Sequence, residues 1–125
     1  YNAEVRRRLH ALPAWGDLPD APSVAKGRAG EREQGTEVAF ALRVERDRVT
    51  AARVQAFGCP HLLAAASWAA EAALGMDCGQ LAAWDWQEAA RVLGVPPAKF
   101  GRLLTLQDAI RAATRNWPGT TRSTV

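Results

Sequence analysis

Residues 60–74 constrain the fold of this chain more than any other part of the sequence. Their only clearly polar side chains are His61, Ser67 and Glu71, and a proline stands at the start. Proline is favoured at the first position of a helix, and a helix that is apolar on nearly all sides is buried. The sequence therefore predicts a largely buried helix here.

A pair of strands is predicted just before this helix. Residues 37–45 alternate between apolar and other side chains, which is typical of a half-buried strand. The apolar set is Val38, Phe40, Leu42 and Val44. A polar turn at residues 45–48 leads into a second strand at residues 49–57, so we expect an antiparallel hairpin.

The rest of the chain is predicted to be mostly helical. A short edge strand is expected at residues 23–30, interrupted by Gly27. The further helices are residues 2–9 with Asn2 as N-cap, a short segment capped by Asp77, residues 85–93 with a capping-box-like start at Asp85 and Glu88, and residues 103–116. This order predicts an α+β fold, a small antiparallel three-stranded sheet with helices packed on one face.

Composition narrows the functional classes. With 125 residues, 48% of them hydrophobic, the chain fits one domain, predicted at residues 1–117, followed by a flexible tail at residues 118–125. The net charge is +3 and the arginines are scattered, so we expect no nucleic-acid partner. No apolar run approaches a membrane span of about 18 residues and no signal-peptide pattern is visible, which indicates a cytoplasmic protein that binds no membrane.

The two cysteines, Cys59 and Cys78, lack the spacing of a structural zinc site or a disulfide framework. Cys59 lies between Gly58 and Pro60, at the start of the buried helix. Unpaired backbone N–H groups and the positive end of the helix dipole favour a thiolate there. Cys59 is therefore the candidate reactive residue, although an inert buried cysteine would fit the same pattern.

Several segments together resemble the IscU-type scaffolds of iron–sulfur cluster assembly, which also occur as the N-terminal domain of NifU. They are Tyr1-Asn2-x-x-Val5 with Pro13 and Gly16, Gln34-Gly35-Thr36, the run from Ala52 to Cys59, Ala64-Ala65-Ala66-Ser67, Val95-Pro96-Pro97-Ala98-Lys99, and the run from Asp108 to Ala113. The resemblance covers nearly the whole chain. It implies a scaffold or carrier, and not a turnover enzyme.

The resemblance also identifies ligand positions, most of which differ here. Scaffolds of this family hold a cluster with three cysteines, assisted by an aspartate and a histidine. In this chain Cys59 alone is kept; the other four positions hold Gln34, Thr36, Gly101 and Arg102. One thiolate cannot hold a [2Fe–2S] cluster. An iron–sulfur cluster is thus expected only if a homodimer shares it between two Cys59 residues, whereas in a single chain Cys59 would be a reactive thiolate or a lone ligand to iron.

Partners follow from the same resemblance. They are a cysteine desulfurase and an Hsp70-type chaperone, which in this family recognises a Leu-Pro-Pro-Val-Lys segment similar to Val95-Pro96-Pro97-Ala98-Lys99. Two other functions remain open. Cys59 could accept a persulfide, as the single cysteine of SufE-type proteins does, or the chain could be an adaptor that only binds the assembly machinery.

His61 and Cys78 are two further side chains that could bind a metal ion or react. His61 stands two residues after Cys59 and could supply a weak metal ligand, although a solvent-facing histidine is the commoner outcome at a helix start. Cys78 lies outside the ligand positions and is expected to be incidental.

Overall fold

Three antiparallel strands form a sheet in the order β1–β2–β3. In the computed structural model, which describes residues 1–118, the strands are β1 (Val24–Glu31), β2 (Thr36–Glu45) and β3 (Arg48–Phe57). Glu37 of β2 pairs with Gly30 on one side and with Phe57 on the other. The register places the β1–β2 connection and the residue after β3 at the same end of the sheet.

Five α-helices complete the described part of the chain. They are α1 (Ala3–Ala11), α2 (Pro60–Ala73), α3 (Cys78–Ala82), α4 (Trp86–Leu93) and α5 (Phe100–Arg115), with short 3-10 helices at Arg32–Gln34 and Pro97–Lys99. None of these helices is long and apolar enough to cross a membrane.

The hydrophobic core lies between one face of the sheet and helices α2 and α5. The predicted inward set of β2 is buried, and so are the apolar positions of α5. The α5 positions are Leu103, Leu106, Ile110 and Ala113. In α2 the predicted burial is confirmed, since even Ser67 is fully buried. The α+β class, with a three-stranded antiparallel sheet, is likewise confirmed.

The sequence prediction placed several boundaries wrongly. Helix α5 begins at Phe100 and not at 103, because the 3-10 turn Pro97–Lys99 runs directly into it. Helix α1 continues to Ala11 and ends where Leu12 adopts a left-handed conformation, with φ of 40°. Strand β1 is not interrupted at Gly27, because this residue pairs in register with Phe40.

All three predicted N-caps form, but one of them lacks the predicted capping box. Asn2 accepts a hydrogen bond from the backbone of Val5, and Asp77 forms a complete capping box with Gln80. Asp85 does cap α4, but its carboxylate accepts from the Gln87 backbone. Glu88 instead pairs with Arg91, at 2.6 Å, so no capping box forms there.

The outer face of the sheet is crossed by the segment that follows α1. Trp15 forms an isolated parallel bridge with Val54, and the Gly16 amide donates to the Val54 carbonyl at 2.9 Å. Further along, Asp17 and Asp20 pair with Lys26 on β1. The edge of β3 is thus covered over these residues.

A buried arginine fastens α1 to α2. Arg8 is 5% exposed and pairs with Glu4, at 2.6 Å, and with Glu71. Its guanidinium also donates to Ser67 Oγ at 3.3 Å, and that hydroxyl donates to the Pro13 carbonyl at 2.7 Å.

The end of the described chain is fixed beside the sheet. Trp117 is buried and its indole donates to Asp47 in the β2–β3 turn, at 3.0 Å. Asn116 donates to the Lys26 carbonyl of β1, at 2.8 Å. Of the tail predicted at residues 118–125, positions 119–125 lie outside the described residues.

Candidate functional site

Cys59 occupies the turn between β3 and α2. It is the N-cap of α2, with extended φ and ψ of −77° and 164°, and its side chain makes no capping hydrogen bond. The thiol is half-buried and forms no disulfide. The helix thus does not use the sulfur as a cap, and the side chain packs partly against the hydrophobic core.

Gly58 allows a tight approach at this turn. A Cβ on Gly58 would lie 2.7 Å from Leu62 Cδ2, so a side chain there would push into the first turn of α2. The same Cβ position is 3.5 Å from the carbonyl oxygen of Gly35, which places the loop before β2 beside the Cys59 turn.

Arg102 joins these two loops to the start of α5. Its Nη1 donates to the Gly35 carbonyl at 3.3 Å and to Thr36 Oγ1 at 3.1 Å. The structure therefore brings Thr36 and Arg102 into direct contact, and the Gly35 carbonyl that Arg102 binds adjoins Gly58. These contacts define what we call the Cys59 site.

Two of the predicted ligand positions carry no metal-binding group. Gln34 is exposed at the end of a 3-10 helix, and Gly101 is exposed in the first turn of α5. A Cβ at Gly101 would meet no atom within 4 Å, so the space around it is open.

The Cys59 site does not have the donor set of a cluster-binding protein. Within residues 1–118, no three His, Cys, Asp or Glu side chains are grouped so that they could hold a metal ion. The site has one thiol, whereas an iron–sulfur cluster needs several thiolate ligands. Arg102, which holds the adjoining loop, is a permanent cation. A [2Fe–2S] cluster held by one chain does not fit these residues.

His61 lies beside the N-terminus and is not directed to a metal site in the described residues. Its ring meets that of Tyr1 edge-on, with centroids 4.8 Å apart. Burial lowers the pKa of His61, and the positive charges of the Tyr1 amino group and Lys99 lower it further. The imidazole is therefore kept neutral by its surroundings.

Cys78 lies far from Cys59 along the molecule. Its thiol contacts the carbonyl oxygen of Thr114 at 3.8 Å, near the end of α5, whereas Arg102 is near the start. At 1.5 Å per residue these positions are about 18 Å apart along the helix. Burial raises the pKa of the Cys78 thiol, as do the charges of Asp47 and Asp77, which keeps it protonated.

The proline segment is extended only at its start. Pro96 is extended, but Pro97–Lys99 is a 3-10 turn, because this segment leads directly into α5. Val95 is buried and belongs to the core, Lys99 is half-buried, and Pro96, Pro97 and Ala98 are exposed. An open hollow of about 400 Å³ adjoins the segment, lined by Trp86, Gln87, Ala90, Arg91, Val95 and Phe100.

A groove on the outer sheet face was not found from the sequence. It measures about 350 Å³ and its lining includes Trp15 and Phe57. Arg28 and Arg32 both pair with Glu37, and Arg32 also lies 5.0 Å above the Phe57 ring. The outward positions of the strand alternation were the signal that could have indicated these neighbours.

The fold and the Cys59 site together define a small α+β domain with a half-buried cysteine at a sheet-to-helix turn. The family model described as "NifU-like N terminal domain" matches residues 2–124. The chain belongs to this family.

The curated relatives agree with this membership. The chain is 31% identical over 88 residues to "Iron-sulfur cluster assembly protein IscU" of Plasmodium falciparum, covering 70% of this chain and 54% of that protein. It is 29% identical over 100 residues to "Iron-sulfur cluster assembly protein 1" of Oryza sativa, covering 78% and 58%. It thus spans little more than half the length of these relatives.

A similar fold is found in the crystal structure of a nitrogen-fixing NifU-like protein, N-terminal part, from Brucella abortus. The TM-score is 0.69 with 18% sequence identity, and the likeness covers 93% of this chain and 92% of that one. At this identity the likeness establishes the fold.

Proposed function

We propose that this protein works in iron–sulfur cluster assembly as a member of the scaffold family that carries sulfur on Cys59. Family membership and the names of the curated relatives support the process. The observation that carries the specific role is the position of Cys59, a half-buried free thiol that makes no capping hydrogen bond at the turn between β3 and α2. The preceding residue, Gly58, adjoins the loop that Arg102 holds.

The proposed step is persulfide transfer. The Cys59 thiolate attacks the outer sulfur of a donor persulfide, R–S–SH, and a new S–S bond forms as the donor's S–S bond breaks. The donor leaves as a thiolate, R–S⁻, and Cys59 becomes Cys59–S–SH, without net oxidation or reduction. The thiolate is the nucleophile in this exchange. Since the sulfur is passed on, the protein is a carrier and not a turnover enzyme.

Partners and location are proposed on the same basis. A cysteine desulfurase would supply the persulfide, and an Hsp70-type chaperone would bind at Val95–Lys99, where Pro96, Pro97 and Ala98 are exposed. We propose a cytoplasmic location, because a reducing compartment keeps Cys59 and Cys78 as free thiols.

Mass spectrometry tests the sulfur-carrying role. After incubation with a cysteine desulfurase and cysteine, the intact protein should gain about 32 Da, one sulfur atom, as expected for a persulfide. Cys59→Ser should abolish this gain, whereas Cys78→Ser should not. A gain that survives Cys59→Ser, or no gain in the wild type, contradicts the proposal.

Anaerobic reconstitution with iron and sulfide tests the alternatives. A colourless protein agrees with a sulfur carrier. A Cys59-dependent chromophore together with a dimeric native mass would indicate a cluster shared between two chains. A protein that gains neither sulfur nor colour, and in which Cys59→Ala changes nothing, would be an adaptor.

A further inference from the structure

The chemical setting of Arg102 is unusual for a site that would hold a metal cation. One guanidinium nitrogen donates to two acceptors on the loop before β2, the Gly35 carbonyl and Thr36 Oγ1. Within residues 1–118 no carboxylate lies at ion-pair distance from Arg102 or from Lys99. The positive charge of Arg102 is therefore not neutralised by an ion pair with a described residue.

The position of the Arg102 charge determines which ions can approach the Cys59 site. The Gly35 oxygen that Arg102 binds also lies beside Gly58, so the guanidinium fastens α5 to the loop that adjoins the Cys59 turn. Arginine remains charged at any physiological pH. A second cation entering between these segments would be repelled, whereas an anionic sulfur group would be attracted.

We infer that Arg102 is the residue that closes the Cys59 site to metal ions and reserves it for anionic sulfur. This inference rests on the proposed function and deepens it, because it names the ligand class that the site accepts. Arg102 acts as a clamp in place of a metal: it links the start of α5 to the loop at Gly35 and Thr36. These are two of the three segments that carry the ligand positions, and the loop adjoins the third, the Cys59 turn.

The open surroundings of the site allow metal ligands to be introduced by substitution. Gln34 is exposed, and a side chain at Gly101 would enter open space. The triple variant Gln34→Cys/Gly101→His/Arg102→Cys would, with Cys59, supply three thiolates and one imidazole. That is a common ligand set of tetrahedral zinc sites, so Zn²⁺ can report on metal binding independently of any assembly activity.

The experiment measures Zn²⁺ affinity by competition with a chelating dye. The wild type should bind weakly, and the triple variant should bind tighter by about two orders of magnitude. The matched control is Gln34→Cys/Gly101→His/Arg111→Cys, which has the same composition but keeps Arg102 and places the third thiol on the exposed outer side of α5. It should bind like the wild type.

If circular dichroism shows that the triple variant does not fold, a single variant still tests the inference. Arg102→Gln retains a hydrogen-bond donor but removes the charge, and it should bind Zn²⁺ at least about threefold tighter than the wild type, in a Cys59-dependent manner. Equal affinities of the wild type and Arg102→Gln, or of the triple variant and its control, would overturn the inference.

The two proposals fail separately. If the wild type gains sulfur on Cys59 but Arg102 does not affect Zn²⁺ affinity, the sulfur-carrying role stands and the assignment of Arg102 is wrong. If Arg102 controls metal binding but no sulfur is gained, the assignment stands and the sulfur-carrying role is wrong.

Discussion

Gly27 of β1 lies directly against the backbone of Ala109 in α5. A Cβ at Gly27 would overlap the Ala109 carbonyl oxygen and the Ala113 amide nitrogen. Neither is the movable end of a side chain, so the helix itself would have to shift. The close packing of β1 on α5 therefore depends on the absence of a side chain at position 27.

The first prediction follows from this contact. Gly27→Ala should lower the free energy of unfolding by about 3 kcal/mol or more, because it overpacks a helix against a strand. Urea denaturation measures the effect. Gly101→Ala is the control: it also replaces a glycine of the fold but enters open space, and it should leave stability unchanged or slightly raised. Equal midpoints for both variants would refute the packing argument.

The second prediction separates two adjacent arginines that both pair with Glu4. Arg8→Ala removes a buried guanidinium that also contacts Ser67 and Glu71, and it should cost about 2–4 kcal/mol. Arg7 is 59% exposed in its side chain and, within residues 1–118, forms an ion pair only with Glu4 in the same helix, so Arg7→Ala should have little effect. Thermal unfolding compares them, and similar melting temperatures for the two variants would contradict the assignment.

The third prediction concerns pH. Burial holds the pKa of His61 below its usual value of about 6.5, so the unfolded chain binds more protons than the folded one when the pH is near or below that value. The stability contributed by neutral His61 is complete above this pH and is lost as the pH falls. Between about pH 7.5 and about pH 5.5, His61→Gln should therefore lose less stability than the wild type. Parallel curves of melting temperature against pH would argue against a half-buried imidazole with a lowered pKa.

The fourth prediction concerns the reactivity of Cys78. In Cys59→Ala, only Cys78 remains, and its raised pKa and partial burial should make alkylation by iodoacetamide at about pH 7.5 slower than that of free cysteine by roughly tenfold. In denaturing guanidinium chloride the difference should disappear. If Cys78 in the folded variant reacts as fast as free cysteine, its thiol is not held as the structure indicates.

The sequence was sufficient for the fold because its signals are local. Alternation in residues 37–45 and the three- and four-residue spacing in α5 depend only on near neighbours, and both gave the correct buried faces. The role of Arg8 could not be predicted in this way. It stands in a run of three arginines that resembles a solvated basic patch, and its partner Glu71 is 63 positions away.

The Cys59 site was predictable only in part, because some of its contacts join residues that are far apart in the sequence. Gly58, Cys59 and Pro60 are contiguous, so the helix-start cysteine is visible in the sequence. The contact between Thr36 and Arg102 joins residues 66 positions apart, and no periodicity indicates it. The 3-10 turn at Pro97–Lys99 was missed because prolines suit both extended chain and the first turn of a helix.

Intramolecular hydrogen bonds to both outer strands limit how copies of this protein can associate. Sheets aggregate by adding a strand along an edge whose backbone groups are unpaired. Here Ala14 and Gly16 hydrogen-bond to Val54 on the outer side of β3, and the Asn116 side chain donates a hydrogen bond to the Lys26 carbonyl of β1. A second copy would have to displace these contacts before it could extend the sheet. At Val54 and Lys26, a strand from a second copy therefore cannot pair with the sheet until these intramolecular hydrogen bonds open.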